Sequence, residues 1–207
     1  MYVPPFNRMP DAELRSLVAS VGSAELITVG SDGFPQASRL PVIWSGERLI
    51  FHLAIANPHW RSIVDGAPAL AIVTGPEAYI SPSWYAAKAE HGRVVPTWNY
   101  DAIHFTGRVT VRREPEWLLA AVTELTDLHE GVREEPWAVS DAPETYVAQM
   151  LKAIVGIDFE ITGIEAKAKR SQNRSDHDRA GVVAGLRAEP SRGNATMADQ
   201  MESDLNP

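Results

Sequence analysis

The sequence predicts a mainly β protein with peripheral helices, built around a small antiparallel barrel. Three observations predict it: several short segments with apolar alternation, turn signals between them, and amphipathic helices at the hairpin junctions. A chain of 207 residues can bury one substantial core. We predict a single domain over residues 1–187 and a polar tail over 188–207, where large apolar residues are few.

The predicted strands share either a period of two or a short apolar run. They cover residues 25–29, 35–44, 48–54, 69–73, 78–81, 102–113 and 155–164. Asp32-Gly33 lies between the first two, a dipeptide typical of tight hairpin turns. Apolar spacing of three and four predicts helices over 11–21, 116–129 and 144–153, and residues 83–94 are expected to form a loop.

The composition excludes several classes of protein. There is no cysteine, which removes disulfides, thiolate metal sites and cysteine nucleophiles. The six histidines lack metal-binding spacing, so no metal site is expected. The net charge of -8 disfavours an extended nucleic-acid surface, although a local basic patch would be compatible with it. No apolar stretch predicts membrane insertion or a signal peptide, so a cytoplasmic location is expected.

A polar helix start is predicted at residues 57–61. Asn57 suits an N-cap and Pro58 the first helical position, so the segment over 57–64 is predicted as a short helix. Its free N–H groups, with His59 and Arg61, could hold a phosphate, and Arg39 could add a second cation. An ordinary capped helix with exposed polar residues is the alternative interpretation.

Two further segments combine aromatic and polar residues. Residues 80–85 and 95–100 carry tryptophan and tyrosine beside hydroxyl, amide and proline residues, a composition that suits a flat ligand with polar edges. Aromatic packing at a dimer interface is the alternative. The third segment, 167–174, holds four cations, and it is interpreted either as a solvated face or as a contact to a phosphate or flavin edge.

At these segments the sequence resembles the PaiB family of FMN-binding negative transcriptional regulators, relatives of the pyridoxamine-phosphate-oxidase-like split barrels. The resemblance covers roughly residues 1–187 in the same order. It is carried by the matching segments Met1-Tyr2-Val3-Pro4, Ala56-Asn57-Pro58-His59-Trp60-Arg61, Ala78-Tyr79-Ile80-Ser81-Pro82-Ser83-Trp84-Tyr85, Val95-Pro96-Thr97-Trp98-Asn99-Tyr100, Ile154-Val155-Gly156 and Ser171-Gln172-Asn173-Arg174. Arg170, where an apolar residue is expected, and a lengthened loop at 90–93 depart from the family pattern.

The resemblance implies an FMN-binding split β-barrel, a homodimer with flavin at the subunit interface, and a role in gene regulation through a DNA or protein partner. It implies that the cofactor-binding residues are Arg39, Leu40, Pro41, His52, Asn57, His59, Trp60, Trp98, Asn99, Ser171 and Gln172. Because the chain is acidic and shows no helix-turn-helix, we expect any effect on transcription to be indirect or flavin-linked.

Two other functions are compatible with the same residues. One is an FMN-dependent oxidoreductase on a small substrate, with His52 or Tyr85 moving a proton. The other is a haem-binding split barrel with a histidine ligand.

Overall fold

The computed structural model describes residues 1–189 and 191–205, and its main element is a seven-stranded antiparallel sheet. The sheet order is β2-β1-β5-β6-β7-β4-β3. The strands are β1 (Ser23–Val29), β2 (Pro35–Pro41), β3 (Ile43–Ser45), β4 (Arg48–Ala54), β5 (Ala67–Ile80), β6 (Thr97–Arg112) and β7 (Ile154–Lys169). This confirms the mainly β, antiparallel fold class.

The first hairpin forms where the Asp-Gly signal predicts it. β1 and β2 pair from Ser23 opposite Pro41 to Val29 opposite Pro35. Between them Gly33 has φ +80°, a conformation that favours glycine, and Asp32 Oδ1 accepts the N–H of Phe34 at 3.1 Å. The turn chemistry therefore fixes the register of the hairpin.

Six α-helices flank the strands within the described residues. They are α1 (Asp11–Val21), α2 (Ala87–His91), α3 (Pro115–Glu130), α4 (Glu144–Leu151), α5 (Asp176–Ala188) and α6 (Arg192–Leu205). α1, α3 and α4 confirm the three amphipathic predictions. Three predictions were wrong: residues 35–44 are divided between β2 and β3, residues 69–73 and 78–81 belong to one strand, β5, and the predicted loop over 83–94 contains α2.

Contacts divide the chain into two compact units. The central unit comprises Arg15–Val73 and His104–Ile164, and the terminal unit comprises Met1–Leu14, Thr74–Ile103 and Glu165–Pro207. Within residues 1–189 and 191–205, no helix is long and apolar enough to cross a bilayer.

The core of the central unit is built from alternating strand positions and aromatic rings. In β4, Leu49, Phe51 and Leu53 are buried and the intervening residues are less so, as a half-buried strand requires. Phe51 meets Phe159 edge to face at a centroid distance of 6.5 Å. These strands give the unit its rigid frame.

A close approach between helix and strand requires glycine in the central unit. A Cβ on Gly156 of β7 would lie 2.1 Å from the Trp117 ring of α3. Only glycine lets this ring lie on the strand, and β4 pairs with β7 so that His52 is opposite Gly156.

The core of the terminal unit includes the end of the chain. Buried residues of β5 and α5, such as Ile80, Val182 and Leu186, pack with Met197 and Met201 of α6. The prediction of a polar tail over 188–207 is therefore corrected for residues 192–205, because two methionines on one helical face are enough to seal a small core. Pro190, Asn206 and Pro207 of that tail lie outside the described residues.

Candidate functional site

The segment after β4 is a tight, fully capped turn. It forms a 3-10 helix over Pro58–Ser62, within the short helix predicted for residues 57–64, with Pro58 at its first position. Asn57 Oδ1 accepts the N–H of His59 at 3.0 Å, as predicted for an N-cap. Trp60 Nε1 donates to the carbonyl oxygen of Ile55 at 3.0 Å, which fixes the indole.

His59 links this turn to the first hairpin. Its ring is buried, with Nε2 hydrogen-bonded to Thr28 Oγ1 at 2.9 Å and Nδ1 to Ser38 Oγ at 2.8 Å. Both ring nitrogens are thereby occupied by hydroxyl groups of β1 and β2. In this structure His59 holds the turn in place, and its predicted contact to a flavin phosphate stays a prediction.

Burial lowers the pKa of His59 below its ordinary value of 6.5, and it lowers the pKa of His52 in the same direction. A histidine with a lowered pKa binds fewer protons in the folded chain than in the unfolded chain. The contribution of the neutral histidine to the free energy of unfolding is complete above about pH 6.5, and it is lost as the pH falls through the pKa of the histidine in the folded chain.

We expect the His59→Phe variant to lose part of this pH dependence. At pH 8 it should also be less stable by about 1–3 kcal/mol, because the hydroxyls of Thr28 and Ser38 lose their partner. Urea unfolding measured between pH 5 and 8 gives both quantities. The control is His177→Phe on an exposed helix position, and an unchanged pH slope in His59→Phe would contradict the role given to His59.

The structure does not bring Arg39 to the same side as His59. Successive residues of a strand point to opposite faces, and Ser38 contacts His59. Arg39 is exposed and pairs with Glu25 at 3.2 Å, with Ser23 Oγ also at 3.2 Å. Because Arg39 and His59 lie on different sides of β2, the fold does not place them as two donors to one anion. The next two residues differ in exposure, since Leu40 is buried and Pro41 is exposed.

Trp60 has two guanidinium groups over its ring. The Cζ atoms of Arg61 and Arg113 lie 5.2 and 5.6 Å from the ring centroid. Across residues 1–189 and 191–205, no carboxylate lies within 4.0 Å of either guanidinium. Two guanidinium groups outside any salt bridge and beside an aromatic ring suit an aromatic phosphate ester, and the nearby Glu114 carboxylate accepts the backbone N–H of Arg113 at 2.9 Å.

The remaining predicted site residues lie in the terminal unit. Asn99 Nδ2 donates to Ser171 Oγ at 3.0 Å, and both residues are buried. The Gln172 carboxamide accepts the N–H of Arg170 at 2.8 Å and donates to the Ala168 carbonyl at 2.5 Å. Trp98 is 47% exposed and donates to Glu77 Oε2 at 3.1 Å. Asn99 and Ser171 thus form one buried hydrogen-bonded pair, Gln172 binds the neighbouring backbone of Ala168 and Arg170, and Trp98 lies on the surface.

Arg170 is the centre of a buried charge network. The basic run over 167–174 is not a solvated face at this position, because Arg170 is only 4% exposed. It binds Asp101 through two hydrogen bonds of 3.0 and 2.6 Å, and it pairs with Glu13 at 2.9 Å and Asp204 at 3.1 Å. Burial works to lower the pKa of Arg170, but these three carboxylates outweigh it and the pKa is raised. Arg170 departs from the family pattern, and its buried positive charge is balanced by the carboxylates of three acidic residues.

Six residues of these clusters were not found from the sequence: Glu13, Thr28, Ser38, Asp101, Arg113 and Asp204. A signal existed for Ser38, because Gln36, Ser38 and Leu40 share one face of β2 at a period of two. Arg113 follows β6, and Asp101 lies inside it. Their partners come from distant parts of the sequence, which no local pattern indicates.

The seven-stranded antiparallel sheet with its flanking helices is that of a split barrel. Residues 1–163 match the family model described as "Putative FMN-binding domain". The chain belongs to this FMN-binding-domain family, which confirms the resemblance drawn from the sequence.

Individual relatives agree with this assignment. Protease synthase and sporulation protein PAI 2 of Bacillus subtilis is 30% identical over 209 residues, or 99% of this chain and 98% of that protein. A conserved hypothetical protein from Mycobacterium tuberculosis has a TM-score of 0.62 at 15% identity, over 84% of this chain and 94% of that one. A FAD and haem binding protein from Mycobacterium smegmatis has a TM-score of 0.59 at 20% identity, over 83% and 77% of the two chains. The two structures show the fold alone.

Proposed function

We propose that the flavin of this protein is FMN and that its phosphate binds beside Trp60, Arg61 and Arg113. The observation that carries the proposal is the pair of guanidinium groups at the Trp60 ring, which lack a carboxylate partner in residues 1–189 and 191–205. FMN differs from riboflavin by one phosphate, so a site with unpaired cations selects FMN. When bound, the flavin supplies the redox chemistry, and the protein supplies position and charge.

The other predicted contacts belong to the same proposal. Asn57 and His59 fix the turn that carries Trp60 and Arg61, so they position these two residues through the backbone. Arg39, Leu40, Pro41, His52, Trp98, Asn99, Ser171 and Gln172 are proposed to contact flavin in a homodimer. Light scattering of the purified protein, with and without FMN, tests the dimer.

We expect the double variant Arg61→Ala/Arg113→Ala to bind FMN about 10 to 100 times more weakly than the wild type, because two charge-assisted contacts are lost. Titrating flavin and following its fluorescence measures the dissociation constant. Riboflavin makes the test specific: the wild type should prefer FMN over riboflavin, and the double variant should lose this preference.

The matched control is Arg133→Ala, an exposed arginine paired with Glu130 on α3. It should leave FMN affinity unchanged. If the double variant kept its preference for FMN over riboflavin, the phosphate would lie elsewhere and the assignment of Arg61 and Arg113 would be wrong.

We further propose that the flavin-bound protein is a cytoplasmic negative regulator of gene expression that acts indirectly. The relative at 30% identity, named for sporulation and protease synthesis, supports a regulatory role, and the net charge of -8 disfavours direct DNA binding. A gel-shift titration of the purified protein at moderate salt should show no specific binding to the DNA upstream of the gene that encodes it. Deleting that gene should raise the transcript levels of the genes that the protein represses.

A redox assay separates regulation from catalysis. Adding NADH or NADPH anaerobically to the FMN-loaded protein should give at most slow reduction, without turnover of an acceptor. Rapid multiple turnover would instead support an FMN-dependent oxidoreductase.

A further inference from the structure

A cleft of about 720 Å³ lies in the central unit beside α3 and α4. α3 contributes Leu119 to it, and α4 contributes Val147 and Leu151. The volume lies within the range of small-molecule sites, roughly 300–1,000 Å³. Trp60, Arg61 and Arg113 are absent from its lining. Arg113 lines a neighbouring cleft of about 300 Å³, which shares Ala148 and Leu151 with this one.

The wall of the cleft is held by side-chain caps. Glu130, at the end of α3, accepts the N–H of Trp137 at 3.2 Å and pairs with Arg133 at 2.9 Å. Asp141 accepts the N–H of Ala138 at 2.9 Å. These contacts fix the segment between α3 and α4, which places Val139 and Ser140 in the lining.

The charge of the cleft is negative and uncompensated. Asp127 and Glu144 line it, and its lining includes no lysine or arginine. In the described part of the chain, neither carboxylate has an ion-pair partner. Residues 127–144 include six acidic residues and one arginine, Arg133, which Glu130 already neutralises. The side of the cleft that carries Asp127 and Glu144 therefore attracts cations, whereas Arg113 and Lys152 line the neighbouring cleft beyond Ala148 and Leu151.

We propose that this cleft binds a lipophilic organic cation. The apolar part of the ligand packs on Leu119, Val147 and Leu151, and its positive centre faces Asp127 and Glu144. Apolar contact supplies the affinity, and the two carboxylates supply the selection for charge. An anion of the same shape is rejected, because it would place like charges together.

Tetraphenylphosphonium and tetraphenylborate test the proposal, because they match in shape and carry opposite charge. In calorimetric titrations of the full chain, the phosphonium should bind and the borate should not. The double variant Asp127→Asn/Glu144→Gln should bind the phosphonium about tenfold more weakly, since it retains the shape and loses the charge. Leu119→Gln should also weaken the binding of the phosphonium, because it removes part of the apolar surface.

The matched control is Glu134→Gln/Glu135→Gln, which removes two charges from the same acidic segment outside the cleft lining. It should leave the phosphonium affinity within about twofold of wild type. Three results would overturn the proposal: no phosphonium binding, borate binding of equal strength, or an equal loss in the two double variants.

Discussion

Arg170→Met is expected to lower the free energy of unfolding by about 3–5 kcal/mol at neutral pH. The reason is Asp101, which is 0% exposed and whose carboxylate is held by the two hydrogen bonds of the Arg170 guanidinium. Removing the guanidinium leaves a buried carboxylate without its counter-charge. Chemical denaturation of the variant and the wild type at pH 7 measures the difference.

The pH dependence of this loss has a definite sign. Burial raises the pKa of Asp101 above its ordinary value of 3.8, and the hydrogen bond from Arg170 opposes that rise. Without Arg170 the pKa rises further, so the folded variant holds a proton that the unfolded chain releases. The destabilisation caused by the buried Asp101 carboxylate is then complete above the pKa of Asp101 in the folded variant, and it shrinks as the pH falls toward 3.8. The deficit of Arg170→Met should therefore be smaller at pH 5 than at pH 7.

Two controls separate this mechanism from a simple loss of packing. Adding Asp101→Asn to Arg170→Met should restore part of the stability, because the buried charge is gone. Arg187 also pairs with two carboxylates, Asp199 at 2.6 Å and Glu202 at 2.8 Å, but its side chain is 45% exposed. Arg187→Met should have a far smaller effect, and an equal effect would show that burial of Arg170 is not the cause.

Met201→Ala is expected to lower the free energy of unfolding by about 2–5 kcal/mol, because it opens a cavity in a closed core. Met201 of α6 is fully buried among residues of β5 and α5, and its sulfur lies 3.5 Å from Asn99 Nδ2. Thermal and urea unfolding measure the loss. The control is Met150→Ala on α4, where the side chain is 41% exposed and the same atoms are removed. Equal stability of the two variants would instead support the prediction of a polar tail over 188–207.

Most of the sheet could be predicted from local patterns. Alternation in β4, the Asp-Gly turn and the apolar spacing of α1 each depend on neighbouring residues, so a single sequence contains the signal. α5 and α6 were missed for a shared reason. Their apolar faces are narrow, Val182 with Leu186 and Met197 with Met201, and their average composition is polar. Here the spacing of a few residues was more informative than the composition.

The candidate site was predictable only at the level of segments. The cap at Asn57 followed from residue type, and its hydrogen bond to His59 confirms it. The hydroxyl partners of His59 and the approach of Arg113 to Trp60 depend on strand pairing between distant segments. Arg170 was interpreted as part of a basic run, since its acidic partners at 13, 101 and 204 are far away in sequence.

The packing of α6 also sets an order of events during synthesis. The terminal unit combines Met1–Leu14 with Thr74–Ile103 and with the residues after Glu165, so its first and last parts are made farthest apart in time. Ile80 and Leu186 remain exposed until Met197 and Met201 have left the ribosome. Long-range closure of this kind is slow. The apolar core of the nascent terminal unit therefore stays incomplete until α6 docks, and a chain that stops before α6 is expected to be more sensitive to proteases.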